Sequence, residues 1–140
     1  MKDIIFDEFQ NSIDQCLLRH RSIIDISSKL LESQARVNRA LAKAVTDCGC
    51  ICIDASCENK LELTVTNNNC DDEDLKILNK CLKTHLKGKL CANCREVLNT
   101  ELGNNLFYIA SLCNLLDLNM YDILIKENEN LKTLGKYNLK

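Results

Sequence analysis

Two short pairs of cysteines carry the strongest chemical signal in this sequence. Cys48-Gly49-Cys50 and Cys91-Ala92-Asn93-Cys94 each place two thiols close enough to grip one ion, and a foldable stretch separates them. Small tetrahedral zinc sites are built this way, with two chain segments each supplying a pair of sulfurs at Zn–S distances near ~2.3 Å. Gly49 and Gly88 add the backbone freedom that tight turns beside thiolates need. A Cys-x-x-Cys pair opening a helix also gains from the helix dipole, which favours thiolate. The expected ligands are therefore Cys48, Cys50, Cys91 and Cys94, holding structural zinc. Cys52, Cys57, Cys70, Cys81 and His85 are substitutes that spacing leaves open. The same thiols could instead hold an iron–sulfur cluster, or stand reduced with no metal. A redox role for Cys-x-x-Cys lacks the strand–helix setting of a thioredoxin-like fold.

A second group sits just downstream. Glu101, Asn104, Asn105 and Tyr108 fall at i, i+3, i+4 and i+7, a shared face of one helix.

The elements that must position these groups read as mainly helical. Phe6, Phe9, Ile13, Cys16 and Leu17 form one apolar stripe; Ile23, Ile26, Leu30, Val37, Leu41, Ala44 and Val45 form a second. Ser22 is a candidate cap for the second helix. Val97, Leu98, Leu102, Leu106, Ile109, Cys113 and Leu116 make a long third stripe, and Cys16 and Cys113 on these stripes are expected to fill core. Asn119, with Asp122 three residues on, caps a fourth helix over 121–134. Between Ala44 and Arg95 the pattern changes. Ile51 and Ile53 alternate, as do Leu61, Leu63 and Val65, so a short hairpin turning at Cys57-Glu58-Asn59 is expected. Asp71 to Asp74 load the first turn of a short helix through Leu86, which Gly88 ends. His20, between two arginines, reads as a partly buried helix residue. The expectation is an all-α helical bundle forming a single domain, 1–140, with a Cys-rich insert, 46–95, between its second and third main helices.

Bulk properties narrow the function. The chain has 140 residues, enough to bury a core without disulfides. Its net charge is −2 with both signs interspersed, so nothing suggests a nucleic-acid footprint. Lys2 and Asp3 lead into a mixed pattern rather than an apolar leader, and no apolar run approaches the ~18 residues of a membrane span. A cytoplasmic protein with neither nucleic acid nor membrane as partner is expected. In that compartment ten cysteines read as metal ligands plus buried thiols, not a disulfide framework.

The stretch ELGNNLFYIASLCNLLDLNMYDILIKENENLKTL, Glu101 to Leu134, resembles the MazG-like nucleotide pyrophosphohydrolases. The resemblance covers about the last 40 residues best and implies an all-α fold. That family carries Glu-Glu-x-x-Glu on one helix and Glu-x-x-Asp on the next, and these acids hold Mg²⁺ against a nucleoside triphosphate. By this resemblance Glu101 is the Glu of Glu-x-x-Asp, with Asn104 where Asp would stand. In KLLESQARVNRAL, Lys29 to Leu41, Glu32 matches one acid, while Ser33 and Arg36 occupy the other acidic positions. The resemblance thus implies Glu32 and Glu101 as catalytic acids, with Mg²⁺ if the site is active. It also implies Arg36, Asn104, Asn105 and Lys126 as nucleotide-binding groups, and a homodimer or higher assembly. With two acids replaced, the expected function is nucleotide binding with weak or lost pyrophosphohydrolase activity. The alternative is a non-catalytic, zinc-stapled interaction module.

Overall fold

The computed structural model describes residues 2–17, 21–55 and 84–134. These residues are mostly helical and contain one two-stranded sheet. The chain divides into two compact units: Met1–Ala40 with Glu96–Lys140, and Leu41–Arg95. His20, the Leu61–Val65 strand and the Asp71–Asp74 run lie outside the described residues.

The first unit draws on four helices: α1 (Lys2–Cys16), the greater part of α2 (Ile23–Lys43), α3 (Ala92–Leu115) from Glu96 onward, and α4 (Met120–Leu134). The expected stripes supply Ile13 from α1, Ile26 from α2 and Cys113 from α3 to its core, joined by Ala110, which lies off the expected stripe; Ile23, Val97, Leu102, Leu106 and Leu116 of those stripes are instead exposed. Ile26 and Ser33 are both fully buried, seven residues or two turns apart. The Ser22 carbonyl accepts the first α2 hydrogen bond, from the Ile26 N–H at 3.0 Å. Cys16 departs from expectation: it is exposed, because it occupies the last position of α1, beyond the buried Ile13 turn.

α3 stops at a left-handed residue. Asp117 has φ 53°, the Leu118 N–H donates to the Cys113 carbonyl at 2.8 Å, and the Asp117 N–H donates to that of Asn114 at 3.3 Å. This is a Schellman ending with Asp in the position glycine usually fills. Asn119 then caps α4 as its sequence implies: its Oδ1 accepts from the Tyr121 N–H at 2.8 Å and the Asp122 N–H at 3.2 Å. Gln10 of α1 locks onto this turn. Its Nε2 donates to Asn114 Oδ1 and the Leu118 carbonyl, and its Oε1 accepts from the Met120 N–H, all within 2.9 Å. Asn114 returns a bond from Nδ2 to the Gln10 carbonyl. A buried amide with every strong group satisfied specifies one register of α1 against the α3–α4 turn.

The second unit is built around strands β1 (Ile51–Ile53) and β2 (Leu86–Gly88), antiparallel, with Ile51 opposite Gly88, Cys52 opposite Lys87 and Ile53 opposite Leu86. The expected helix does not extend through Leu86, which lies in β2; its residues 71–83 lie outside the described residues. His85 has φ 56°, which breaks a right-handed helix, and its carbonyl accepts from the Asp54 N–H at 2.8 Å. Gly88 ends no helix either. It has φ 88°, and a Cβ there would fall 2.5 Å from the Cys50 carbonyl oxygen. Ile51 and Ala44 are the buried apolar residues of this unit among those described. No described helix is long and apolar enough to cross a membrane.

Candidate metal centre and the acidic helix face

Local backbone chemistry sets the four thiols. Beyond Lys43 the α2 helix widens into a π-helical turn, Ala44–Cys48, and Gly49 closes it at φ 68°. That left-handed step is available to glycine at little cost and reverses the chain between Cys48 and Cys50. β2 then returns the chain opposite β1, three residues before Cys91, which immediately precedes α3. The result is that the sulfurs of Cys48, Cys50, Cys91 and Cys94 all lie within 4.8 Å of one another. Cys48 Sγ and Cys91 Sγ are 3.8 Å apart. A tetrahedron with Zn–S bonds of ~2.3 Å has edges of about 3.8 Å. Four thiols in this arrangement could hold a metal ion, and among the described residues they are the cluster of metal-ligating side chains close enough to do so.

The thiols share protons unequally. Cys91 is drawn down to about 7, first by the N–H of Cys94, which donates to its sulfur at 3.4 Å, and then by the Cys94 and Cys48 thiols. Cys94 is pushed up to about 12, chiefly because its proton is committed to Cys91. Cys48 feels opposing pulls, downward from the Cys94 thiol and upward from its bond to Cys91, and the net is upward. Cys50 directs its thiol at the Ala44 carbonyl, 3.8 Å away. Cys91 is thus the most readily ionised of these three thiols, and a cation binding here would have to displace the protons of Cys48 and Cys94. Cys48 is exposed and the other three are half-buried.

Of the substitutes, Cys52 is exposed on β1 and stands outside the cluster. His85 turns Nδ1 towards the Asp54 carbonyl at 3.3 Å and is also outside it. Cys57, Cys70 and Cys81 lie outside the described residues. Cys113 is core, and burial pushes its thiol up.

The acidic face of the first unit has a different character. Arg36 donates from Nη1 to Glu32 at 2.9 Å and from Nε to Glu101 at 3.1 Å. Lys29 donates to the second oxygen of Glu32 at 2.7 Å, and this bond, with the charge behind it, holds the Glu32 carboxyl below its ordinary value. The two acids therefore converge, but on a guanidinium. A divalent cation would have to displace Arg36 to reach both carboxylates, and would meet its repulsion on the way. Ser33, one turn before Arg36, is fully buried: it donates to the Leu30 carbonyl at 2.7 Å and accepts from Asn105 Nδ2 at 2.9 Å. Asn105 is thereby committed to α2. Asn104 and Lys126 are exposed on α3 and α4, and neither joins the Glu32–Arg36–Glu101 group among the described residues.

Two features of these sites escape a reading by spacing. Gly88 packs its missing side chain against Cys50, a contact signalled only by a glycine three residues before a candidate ligand. Arg36 bridges two acids, and its partner Glu101 is 65 residues away. No family model, curated protein or solved structure matches the chain.

Proposed function

We propose that this chain is a zinc-binding, non-catalytic helical module on a MazG-like scaffold, whose first unit pairs with a second copy. The observation that carries the reading is the four-sulfur set of Cys48, Cys50, Cys91 and Cys94, drawn from two chain segments and spaced as zinc requires. An all-cysteine tetrahedron leaves no ligand position for water, which makes the zinc structural rather than catalytic. The loss of hydrolysis is supported by Arg36, which already neutralises Glu32 and Glu101. Pairing is supported by apolar side chains left in solvent on the first unit: Ile24 and Leu31 of α2 are 75% and 74% exposed, and Ile5 of α1 is 66% exposed.

The test is metal analysis of the purified chain followed by Co²⁺ substitution. About one metal per chain is expected, with the intense charge-transfer absorption of a cobalt tetrathiolate, lost when Cys91 is replaced by Ser. A chain that takes up no thiophilic metal would remove the reading. Light scattering at micromolar concentration checks the pairing, which a monodisperse monomer would overturn.

A second reading, Mg²⁺-dependent pyrophosphohydrolysis, is favoured by the convergence of Glu32 and Glu101 on one spot. Pyrophosphate release from a panel of nucleoside triphosphates, present in wild type and absent in Glu101→Gln, would establish it. No turnover in folded, metal-loaded protein would dismiss it.

A further inference from the structure

We propose that the four-cysteine centre is also a thiol-oxidation switch, in which a Cys48–Cys91 disulfide replaces the metal. This rests on the zinc reading above. The four thiols are not equivalent: Cys48, in the π-helical turn, is exposed, while Cys50, Cys91 and Cys94 are half-buried. A small oxidant from solvent meets Cys48 first. The sulfur of Cys91 lies 3.8 Å from it, across the two chain segments. An S–S bond is ~2.05 Å long, so the pair closes by about 1.8 Å, within reach of side-chain rotation at two turns of the chain.

With a peroxide as oxidant the chemistry balances. The Cys48 thiolate attacks one peroxide oxygen, the O–O bond breaks, and a sulfenic acid and hydroxide result. The Cys91 thiolate then attacks the Cys48 sulfur, the S–O bond breaks, and a second hydroxide leaves with its electron pair. In sum, the zinc tetrathiolate of charge −2 and one hydrogen peroxide give one disulfide, a neutral zinc dithiolate on Cys50 and Cys94, and two hydroxides. Two sulfurs are oxidised by two electrons together and the peroxide is reduced by two. Two remaining protein ligands are too few to retain zinc against a chelator. A dithiol reductant attacks the disulfide, restores both thiolates and allows metal to return. The bridge joins the same two segments that the metal joins, so the switch exchanges one tie for another.

The experiment uses the full chain reconstituted with zinc, its metal content measured first. Hydrogen peroxide is added with a chromogenic zinc chelator present, and the alkylated, unreduced protein is mapped by peptide mass. Release of about one zinc per chain is expected, with a Cys48–Cys91 linked peptide. Dithiothreitol and added zinc should reverse both. Cys52→Ser, which removes an exposed thiol outside the cluster, should release zinc as wild type does, and slowed release in that variant would overturn the proposal. Retention of zinc under excess peroxide, or release with Cys91 linked to Cys94, would also overturn it while leaving the zinc reading intact. A chain that binds no zinc on reconstitution would overturn both.

Discussion

Gly88→Ala is the sharpest probe of how the chain builds its metal centre. Two costs add at this position. Its φ of 88° lies in the left-handed half of conformational space, where an L-residue is worse off than glycine by about 1–2 kcal/mol. The new methyl would also sit 2.5 Å from the Cys50 carbonyl oxygen, which is backbone and cannot swing aside. Relieving that overlap means moving β1 from β2, at a further cost of about 1–3 kcal/mol. The combined penalty is about 3 kcal/mol, and it falls on the segment carrying Cys50 and, three residues past Gly88, Cys91. If metal binding must restore that geometry, zinc affinity drops by about 100-fold, since each ~1.4 kcal/mol is a factor of ten. Gly49→Ala is the control. It bears the left-handed cost at φ 68° but meets nothing within 4 Å, so its loss should stay near tenfold. The assay is competition against a zinc chelator of known affinity, with helix content followed by circular dichroism. Wild-type affinity in Gly88→Ala would refute the idea that strand pairing sets the ligand geometry. An equal loss in both variants would refute the role given to the Cys50 contact.

Zinc affinity should rise with pH. Cys94 keeps its proton up to about 12 and Cys48 also stands above its ordinary value, so binding at pH 7.5 releases more than one proton, readable from calorimetry in buffers of different ionisation enthalpy. Below about pH 7 affinity should fall more steeply, as Cys91 too becomes protonated. Gln10→Ala strips the Met120 N–H and the Leu118 carbonyl of side-chain partners at a part-buried turn, and should cost about 2–3 kcal/mol in denaturant melts. A double-mutant cycle on Arg36→Gln and Glu101→Gln should give a coupling of about 0.5 kcal/mol, because Arg36 is 36% exposed and water screens the pair; a coupling above ~2 kcal/mol would mean that the pair is desolvated in an assembly.

The parts legible from sequence are those decided by neighbours in the chain. The stripes of α1 to α3 repeat every three or four residues, and Asn119 needs only the next three residues to act as a cap for α4. The cysteine pairs announce themselves by spacing, and their sulfurs do come together. What stayed hidden depends on distant partners. Leu86–Gly88 is too short to show alternation, and its strand identity comes from pairing with Ile51–Ile53 far upstream. Nothing in the spacing marks Ser33 as buried, yet α3 covers it through Asn105. Cys16 shares a stripe with Ile13 but outruns the partner helices that would bury it.

The small sheet also sets an order of events in time. Joining Ile53 to Leu86 closes the loop 54–85, which costs about 3 kcal/mol in chain entropy beyond a constant. A ladder of three residue pairs is marginal on its own in water. Helices such as α2 and α3 nucleate locally and in about a microsecond. On the proposed zinc reading, the arrival of an ion at the four thiols would be the event that makes closure of the second unit worthwhile. Its rate of assembly should scale with free metal while the helices form regardless, so that the two halves of one chain keep different clocks.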